Sequence, residues 1–292
     1  MANSISYAQK FLPVIDDTYK QASVTAVLDT QAQADFSGAN EVKVLKVSTT
    51  GLGDYSRTEG YPKGDVTAVW ETLKLENERG KEFSVDRMDD EETLGMAFGA
   101  VTGQFMRDWV CPELDAYRFA AYASNDGVLT TEAENLNKDN LIAALDEAVR
   151  AMDECEVPEN DRILFVNSDL KPALNECFTR TWGSDAQINS NLLCYNNMPV
   201  IYVPKTRFYT GVTLNDGTSS WGYSKAEGAS AINFMLVQRA AVLQAKKICM
   251  PKIFSPDENQ TADMWKFQFR LYHDSFVYDN KKQGIYVHKA LA

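Results

Sequence analysis

The stretch KFQFRLYHDSFVYDNKKQGIYVH, Lys266–His288, holds both histidines of the chain, His273 and His288. His273 is followed directly by Asp274 and Ser275, the residue types of a nucleophilic hydrolase. Such a histidine needs a carboxylate on one ring nitrogen and a nucleophile on the other. The surrounding pattern argues against it. Trp265, Phe267, Phe269, Leu271 and His273 alternate with Lys266, Gln268, Arg270, Tyr272 and Asp274, which is the period of a strand. Neighbours in a strand point to opposite faces, so Asp274 is not placed to orient His273. Ser275 shares the His273 face, but side chains two residues apart on a strand diverge too far for a dependable hydrogen bond.

A second serine lies in GYSKA, Gly222–Ala226. It resembles the nucleophile elbow only loosely, because no strand-turn-helix pattern surrounds it. A hydrolase using Ser224 or Ser275 with His273 is therefore an alternative that the geometry must decide, and a structural histidine is the expectation. The acids Asp89, Asp90, Glu91 and Glu92 read better as a solvated helix start than as metal ligands, since no partner set converges from elsewhere in the sequence. Gly51-Leu52-Gly53 begins like a dinucleotide fingerprint, but Ser56 stands at the third glycine and no helix pattern follows. No P-loop, HExxH or EF-hand spacing occurs. Cys111, Cys155, Cys177, Cys194 and Cys249 form no CxxC pair and read as reduced thiols of a cytosol-like compartment. The expectation is no catalytic residue, no metal and no cofactor.

Bulk properties agree. The formal net charge is −12 over 292 residues, with lysines and arginines scattered, which excludes a strong nucleic-acid binder. The N-terminal MANSISYAQKFLPVIDDTYK lacks a basic segment leading into an apolar run, so it does not read as a secretory signal, and no long uncharged apolar stretch reads as a membrane span.

The elements that would position these residues follow from patterning. Residues 1–40 carry apolar groups without a continuous stripe and include Pro13, which reads as a segment lying along another surface, a neighbour's or its own domain's. EVKVLKVS (Glu41–Ser48), AVWETLKL (Ala68–Leu75) and KEFSVDR (Lys81–Arg87) read as strands, the second and third joined by a tight turn at NERG. The glycine-rich loop between the first two is long enough to be functional. Asp89–Val110 reads as a helix with a stripe of Leu94, Phe98, Val101, Phe105 and Trp109, and with Gly95, Gly99 and Gly103 marking a close approach. Pro112 kinks or restarts it, and it continues to about Ala123. Lys138–Glu154 is an amphipathic helix with Leu141, Leu145, Ala148, Val149 and Met152 inward. Asp161–Asn167 and Met198–Pro204 are buried strands, Ser168 caps the helix between them, and Ala231–Lys247 opens as a strand and closes as a turn or short helix. The strand from Met264 to Tyr278 spans roughly 50 Å at about 3.3 Å per residue; so long an element implies an elongated subdomain. DNKKQG is a turn and IYVH a returning strand.

Three stretches carry a family resemblance: YAQKFLPVIDDTYKQASVTAVL, CPELDAYRFAAYA and, most specific, the C-terminal SAINFMLVQRAAVLQAKKICMPKIFSPDENQTADMWKFQFRLYHDSFVYDNKKQGIYVHK. Together they make the chain similar to the major capsid proteins of tailed bacteriophages, in particular the compact ones of phages of Gram-positive hosts, whose fold is shared with herpesvirus capsids. The resemblance implies an α+β capsid fold: an N-terminal arm (1–40), an extended hairpin called the E-loop (41–88), a peripheral domain with a long spine helix (89–130), a mixed α/β axial domain (131–245), and long peripheral strands that return to the axial domain (246–292). It implies a protein that is no enzyme and that assembles with itself into the hexamers and pentamers of an icosahedral shell around double-stranded DNA. The implied location is the virion, after assembly in the host cytoplasm. A portal protein and decoration proteins are implied partners. Because relatives that carry a cleaved scaffolding segment begin with it, and this sequence reaches the arm at once from Met1, a separate scaffolding protein is expected. Some relatives crosslink subunits through a lysine; Lys63 lies in the E-loop, with nothing else marking it. Tyr61, Lys63 and Trp70 are the expected inter-subunit contacts. An encapsulin-type compartment shell is the nearest alternative.

Overall fold

The structure is a computed structural model and describes residues 23–29, 41–58, 60–88, 103–177, 181–182, 188–189 and 194–291. Two sheets organise it. The first takes strands β4 (Leu129–Thr130), β5 (Arg162–Asn167), β8 (Cys194–Tyr195), β9 (Met198–Val203), β12 (Ile232–Gln238) and β15 (Ile285–Lys289) in the order β4-β15-β12-β5-β9-β8. β5 and β12 are buried along their whole length, as their unbroken apolar runs require when both faces are covered. One face is covered by helices α2 (Leu141–Glu154) and α3 (Lys171–Cys177), through Leu141, Leu145, Ala148, Met152 and Leu174. The other packs on helix α1 (Cys111–Ala123), through Phe119 and Tyr122.

The second sheet is long and narrow. β14 (Met264–Val277) lies between β13 (Val242–Phe254) and β3 (Asn77–Asp86), antiparallel to both. Its odd-numbered residues Phe267, Phe269 and Leu271 bury beneath Met106, Val110, Cys111 and Leu114. The alternate face carries charge, with Arg270 on Glu78 and Lys266 on Glu82. The expected long strand is thus present. NERG is not a turn: Asn77–Gly80 is the first part of β3. Its side chains alternate between half-buried and exposed, and the register continues along β14 to the Asn77–His273 pair.

A hairpin, β1 (Glu41–Thr49) with β2 (Val66–Lys74), projects from this sheet in full register from Glu41–Lys74 to Thr49–Val66. Smaller pairs complete the strands: β6 (Thr181–Trp182) with β7 (Ile188–Asn189), and β10 (Val212–Leu214) with β11 (Tyr223–Lys225).

The helix before α1 behaves as Pro112 dictates. A proline lacks the N–H and crowds the carbonyl four residues back, and the chain answers with a π-helical turn at Met106–Val110. That turn places Met106 and Val110 inward and leaves Trp109 exposed, so Trp109 does not continue the apolar stripe. Phe105 does face inward, against Phe83, Phe267 and Phe269; Leu94, Phe98 and Val101, with Gly95, Gly99 and the acids 89–92, lie outside the described residues. At Gly103 a Cβ would meet nothing among the described residues within 4 Å, so none of them approaches it closely. Ser168 is not a cap: Asn167 accepts from the Asp169 amide, while Ser168 donates to the Val203 carbonyl.

Candidate interaction surface

The hairpin has two unlike faces. Cross-strand partners share a face, so Val42, Leu73 and Val44 lie on one side and Leu45, Trp70, Val47 and Val66 on the other. The first side rests on the body, where Val42, Leu75, Leu243, Ala245 and Tyr272 form one buried cluster with Val44 and Leu73. Further out on the same side Lys46 pairs with Asp279 at 3.2 Å. The Lys282 and Lys46 ammonium groups hold the Asp279 carboxyl below the ordinary carboxylate range. The second side is bare. Of the twelve large apolar side chains exposed among the described residues, eight lie between Leu45 and Trp70, and four of these, Leu45, Val47, Val66 and Trp70, are on this side. A two-stranded ribbon is marginal in water, and an exposed apolar face of this extent marks an interaction surface.

The three residues singled out from sequence lie here. Trp70 is 62% exposed beside Leu45. Tyr61 is 86% exposed at the apex, where its ring meets Tyr55 at a centroid distance of 5.0 Å. Lys63 is exposed close by. The structure brings Tyr61 and Lys63 together and leaves Trp70 further down the ribbon.

Sequence reading missed the joint that aims the hairpin. Between β2 and β3 only Leu75 and Glu76 intervene. The Tyr272 hydroxyl donates to the Leu75 carbonyl at 2.7 Å, and the Glu76 amide donates to Asp274 Oδ2 at 3.0 Å. Asp274 Oδ1 accepts from Tyr117 on α1 at 2.7 Å. Burial first, and the Asp274 carboxylate second, push the Tyr117 phenol far above its usual range, so it remains a donor. A period-two pattern carries no sign of this joint, because it depends on where β14 meets the Leu75-Glu76 link.

A second missed feature is Asp115, wholly buried on α1. It accepts from Ser23 Oγ (2.7 Å), the Val24 and Thr25 amides (3.1 and 3.2 Å), Thr25 Oγ1 (2.6 Å) and Arg207 (3.2 Å). Arg118 donates to Thr25 Oγ1, Lys246 pairs with Asp29, and Leu28 enters the core. Of the two surfaces left open for residues 1–40, 23–29 lie on that of their own chain; the remainder lies outside the described residues.

The chemistry-bearing candidates stay apart. His273 is 1% exposed, and neither ring nitrogen has a hydrogen-bond partner among the described residues. Its edge-on neighbour is Tyr117. Burial, then Arg118, Lys246 and Arg79, hold its pKa down at about 3, so it is a neutral imidazole. Ser275 makes no bond to it, and Ser224 is exposed and donates to Asn215 at 3.3 Å. The dyad that a hydrolase would need is not formed with either serine. His288 stacks on Phe234 and meets Asn233. Among the described residues no group of three or more His, Cys, Asp or Glu converges on a common point, and no helix is long and apolar enough to cross a membrane.

No protein-family model matches this sequence, and no curated protein does. Solved structures do match its shape. The capsid structure of the cyanophage P-SCSP1u is 13% identical with a TM-score of 0.64, over 92% of this chain and 88% of that one. The mature capsid of bacteriophage PhiM1 is 9% identical with a TM-score of 0.65, over 92% and 87%. The chain has the tailed-phage capsid fold. A virus-like particle from Pyrococcus furiosus is also similar, at 12% identity and a TM-score of 0.57, over 97% of this chain and 99% of that one. Within that fold the α+β organisation expected from sequence holds, with a bundle-free mixed sheet at one end, long strands at the other and a projecting hairpin.

Proposed function

We propose that this chain is the major capsid protein of a tailed bacteriophage, building the hexamers and pentamers of an icosahedral shell that encloses double-stranded DNA. The observation that carries the reading is the hairpin β1–β2: one face is anchored on its own body and the other, with Leu45, Val47, Val66 and Trp70, is apolar and uncovered. A neighbouring copy covers it, and Trp70 is the anchor, because buried aromatics dominate interface energetics. Tyr61 and Lys63 contact that neighbour at the apex.

In this reading residues 1–40 are the arm, 41–74 the E-loop, 131–245 the axial domain, and 89–130 with 246–292 the peripheral domain, whose end returns to the axial sheet as β15. β3 joins the peripheral part, because its partner is β14. The net charge of −12 suits a shell that confines DNA without binding its sequence. A separate scaffolding protein directs assembly in the host cytoplasm, a portal protein occupies one vertex, and decoration proteins are further partners.

The test is electron microscopy of the purified chain, alone and with its scaffold. Closed icosahedral particles are expected; a chain that stays monomeric in both preparations contradicts the reading. A compartment shell of the encapsulin type is a second reading, favoured by the likeness to the Pyrococcus furiosus particle across nearly both whole chains. Particle contents separate them: nucleic acid for the phage shell, protein cargo for the compartment.

A further inference from the structure

Five side-chain atoms sealed from solvent between α1 and the long sheet have no hydrogen-bond partner among the described residues: Arg118 Nε, Gln244 Oε1, Ser275 Oγ and both ring nitrogens of His273. Buried polar atoms are nearly always paired, so a group of this size needs a physical account. Register puts three of the side chains on one face. Gln244 lies opposite Ser275 and Lys246 opposite His273, and cross-strand partners project to the same side. That side meets α1. The Tyr117 ring stands edge-on to His273 at 5.4 Å, and Gln244 Nε2 donates to the Tyr122 hydroxyl at 3.0 Å. Arg118, on the same helix, completes the group; after burial, its charge bears most on the His273 ring.

The orphaned atoms belong to side chains that are held at their other ends. Gln244 Nε2 also donates to the Thr25 carbonyl at 3.3 Å. A carbonyl only accepts, so the amide is not free to turn round and Oε1 points elsewhere. Arg118 Nη1 donates to Thr25 Oγ1 at 2.7 Å, and Nη2 meets Asp29 at 3.5 Å. Turning the His273 ring over only exchanges two nitrogens that both lack a partner.

We propose that this site binds internal water, held between Arg118, Gln244, His273 and Ser275. The donor set selects that ligand. With His273 neutral, the unmet donors are the Arg118 Nε–H, one ring N–H and the Ser275 hydroxyl. The unmet acceptors are Gln244 Oε1 and the other ring nitrogen. Water donates twice and accepts twice, and a buried water makes about three such bonds. An anion would face the Gln244 oxygen and the bare ring nitrogen. A cation would face the Arg118 guanidinium and the Lys246 ammonium, which Asp29 already holds at 3.0 Å. The water ties α1 to β13 and β14 where residues 23–29 are seated through Thr25 and Asp29. It is a structural ligand of the single subunit and does not depend on the shell reading.

The experiment is a crystal structure of the purified full-length subunit, fine enough to show ordered water, with a second crystal soaked in bromide. The expected result is a density peak within hydrogen-bonding distance of at least two of Arg118 Nε, Gln244 Oε1, Ser275 Oγ and a His273 ring nitrogen, with no anomalous signal at that peak after the soak. Three results overturn the proposal. One is a site without a peak. Another is a set of side chains turned to bond one another directly. The third is an anomalous peak at the site, which would make it an anion site.

Discussion

The Tyr272 hydroxyl and the Leu75 carbonyl are joined by a buried hydrogen bond of 2.7 Å, and this bond lies where the chain leaves the hairpin for the long sheet. One residue on, the Glu76 amide is held by Asp274. Two residues of β14, on either side of His273, thus fix the angle at which an apolar ribbon leaves the body.

Tyr272→Phe keeps the ring in its cluster but leaves the Leu75 carbonyl without that donor. An unsatisfied buried acceptor costs about 1–3 kcal/mol, so the melting temperature should fall by a few degrees. Amide exchange should accelerate selectively in 41–47 and 70–76. Acceleration spread evenly over the chain would show that the bond supports global stability and does not aim the hairpin.

Asp115 predicts a larger loss. Asp115→Ala leaves Arg207 without this carboxylate and strands buried donors on Ser23 and Thr25. Removing one partner from a buried ionic network costs about 3–5 kcal/mol. Residues 23–29 should lose amide protection first, at denaturant concentrations where β5 and β12 stay protected. Simultaneous loss in all three would mean the segment is not separately held by this residue.

His273 gives a pH prediction. Its native pKa, about 3, lies below the ordinary 6.5, so between these values the unfolded chain binds the proton and the native chain does not. Stability from this residue is fully present above pH 6.5 and is lost as pH falls towards 3, by up to about 1.4 kcal/mol per pH unit. His288 is shifted in the same direction, chiefly by burial, and adds to the slope. In His273→Phe, the fall in melting temperature between pH 6.5 and 4 should be shallower than in wild type. Identical slopes would place the proton uptake elsewhere.

What was legible in the sequence was what repeats locally. Phe267, Phe269 and Leu271 alternate because one face of β14 is buried, and Leu141, Leu145, Ala148 and Met152 recur because one face of α2 is. Both elements could be read before any contact was known. The uncovered face of the hairpin was legible too, as apolar residues on both sides of a ribbon that has only one body to rest on. The features decided by distant crossings were not. NERG carries turn-forming residues, yet the register with β14 draws it into a strand. Trp109 fits a helical stripe until the π-turn before Pro112 rotates it out. Asp115 looks like a solvated helix residue until Ser23 and Thr25, about ninety positions earlier, close over it.

The central claim is that the bare face and apex of the hairpin are covered by another copy. Replacing residues 50–65, all that lies beyond the Thr49–Val66 pair, by Asn-Gly gives a short hairpin with a favoured turn and leaves the body untouched. Electron microscopy of this variant beside wild type and Trp70→Ala is the direct measurement. The account predicts a folded, soluble subunit with a melting temperature near that of the wild-type monomer, no closed particles from the shortened chain, and fewer from Trp70→Ala. Normal closed particles from the shortened chain would contradict it.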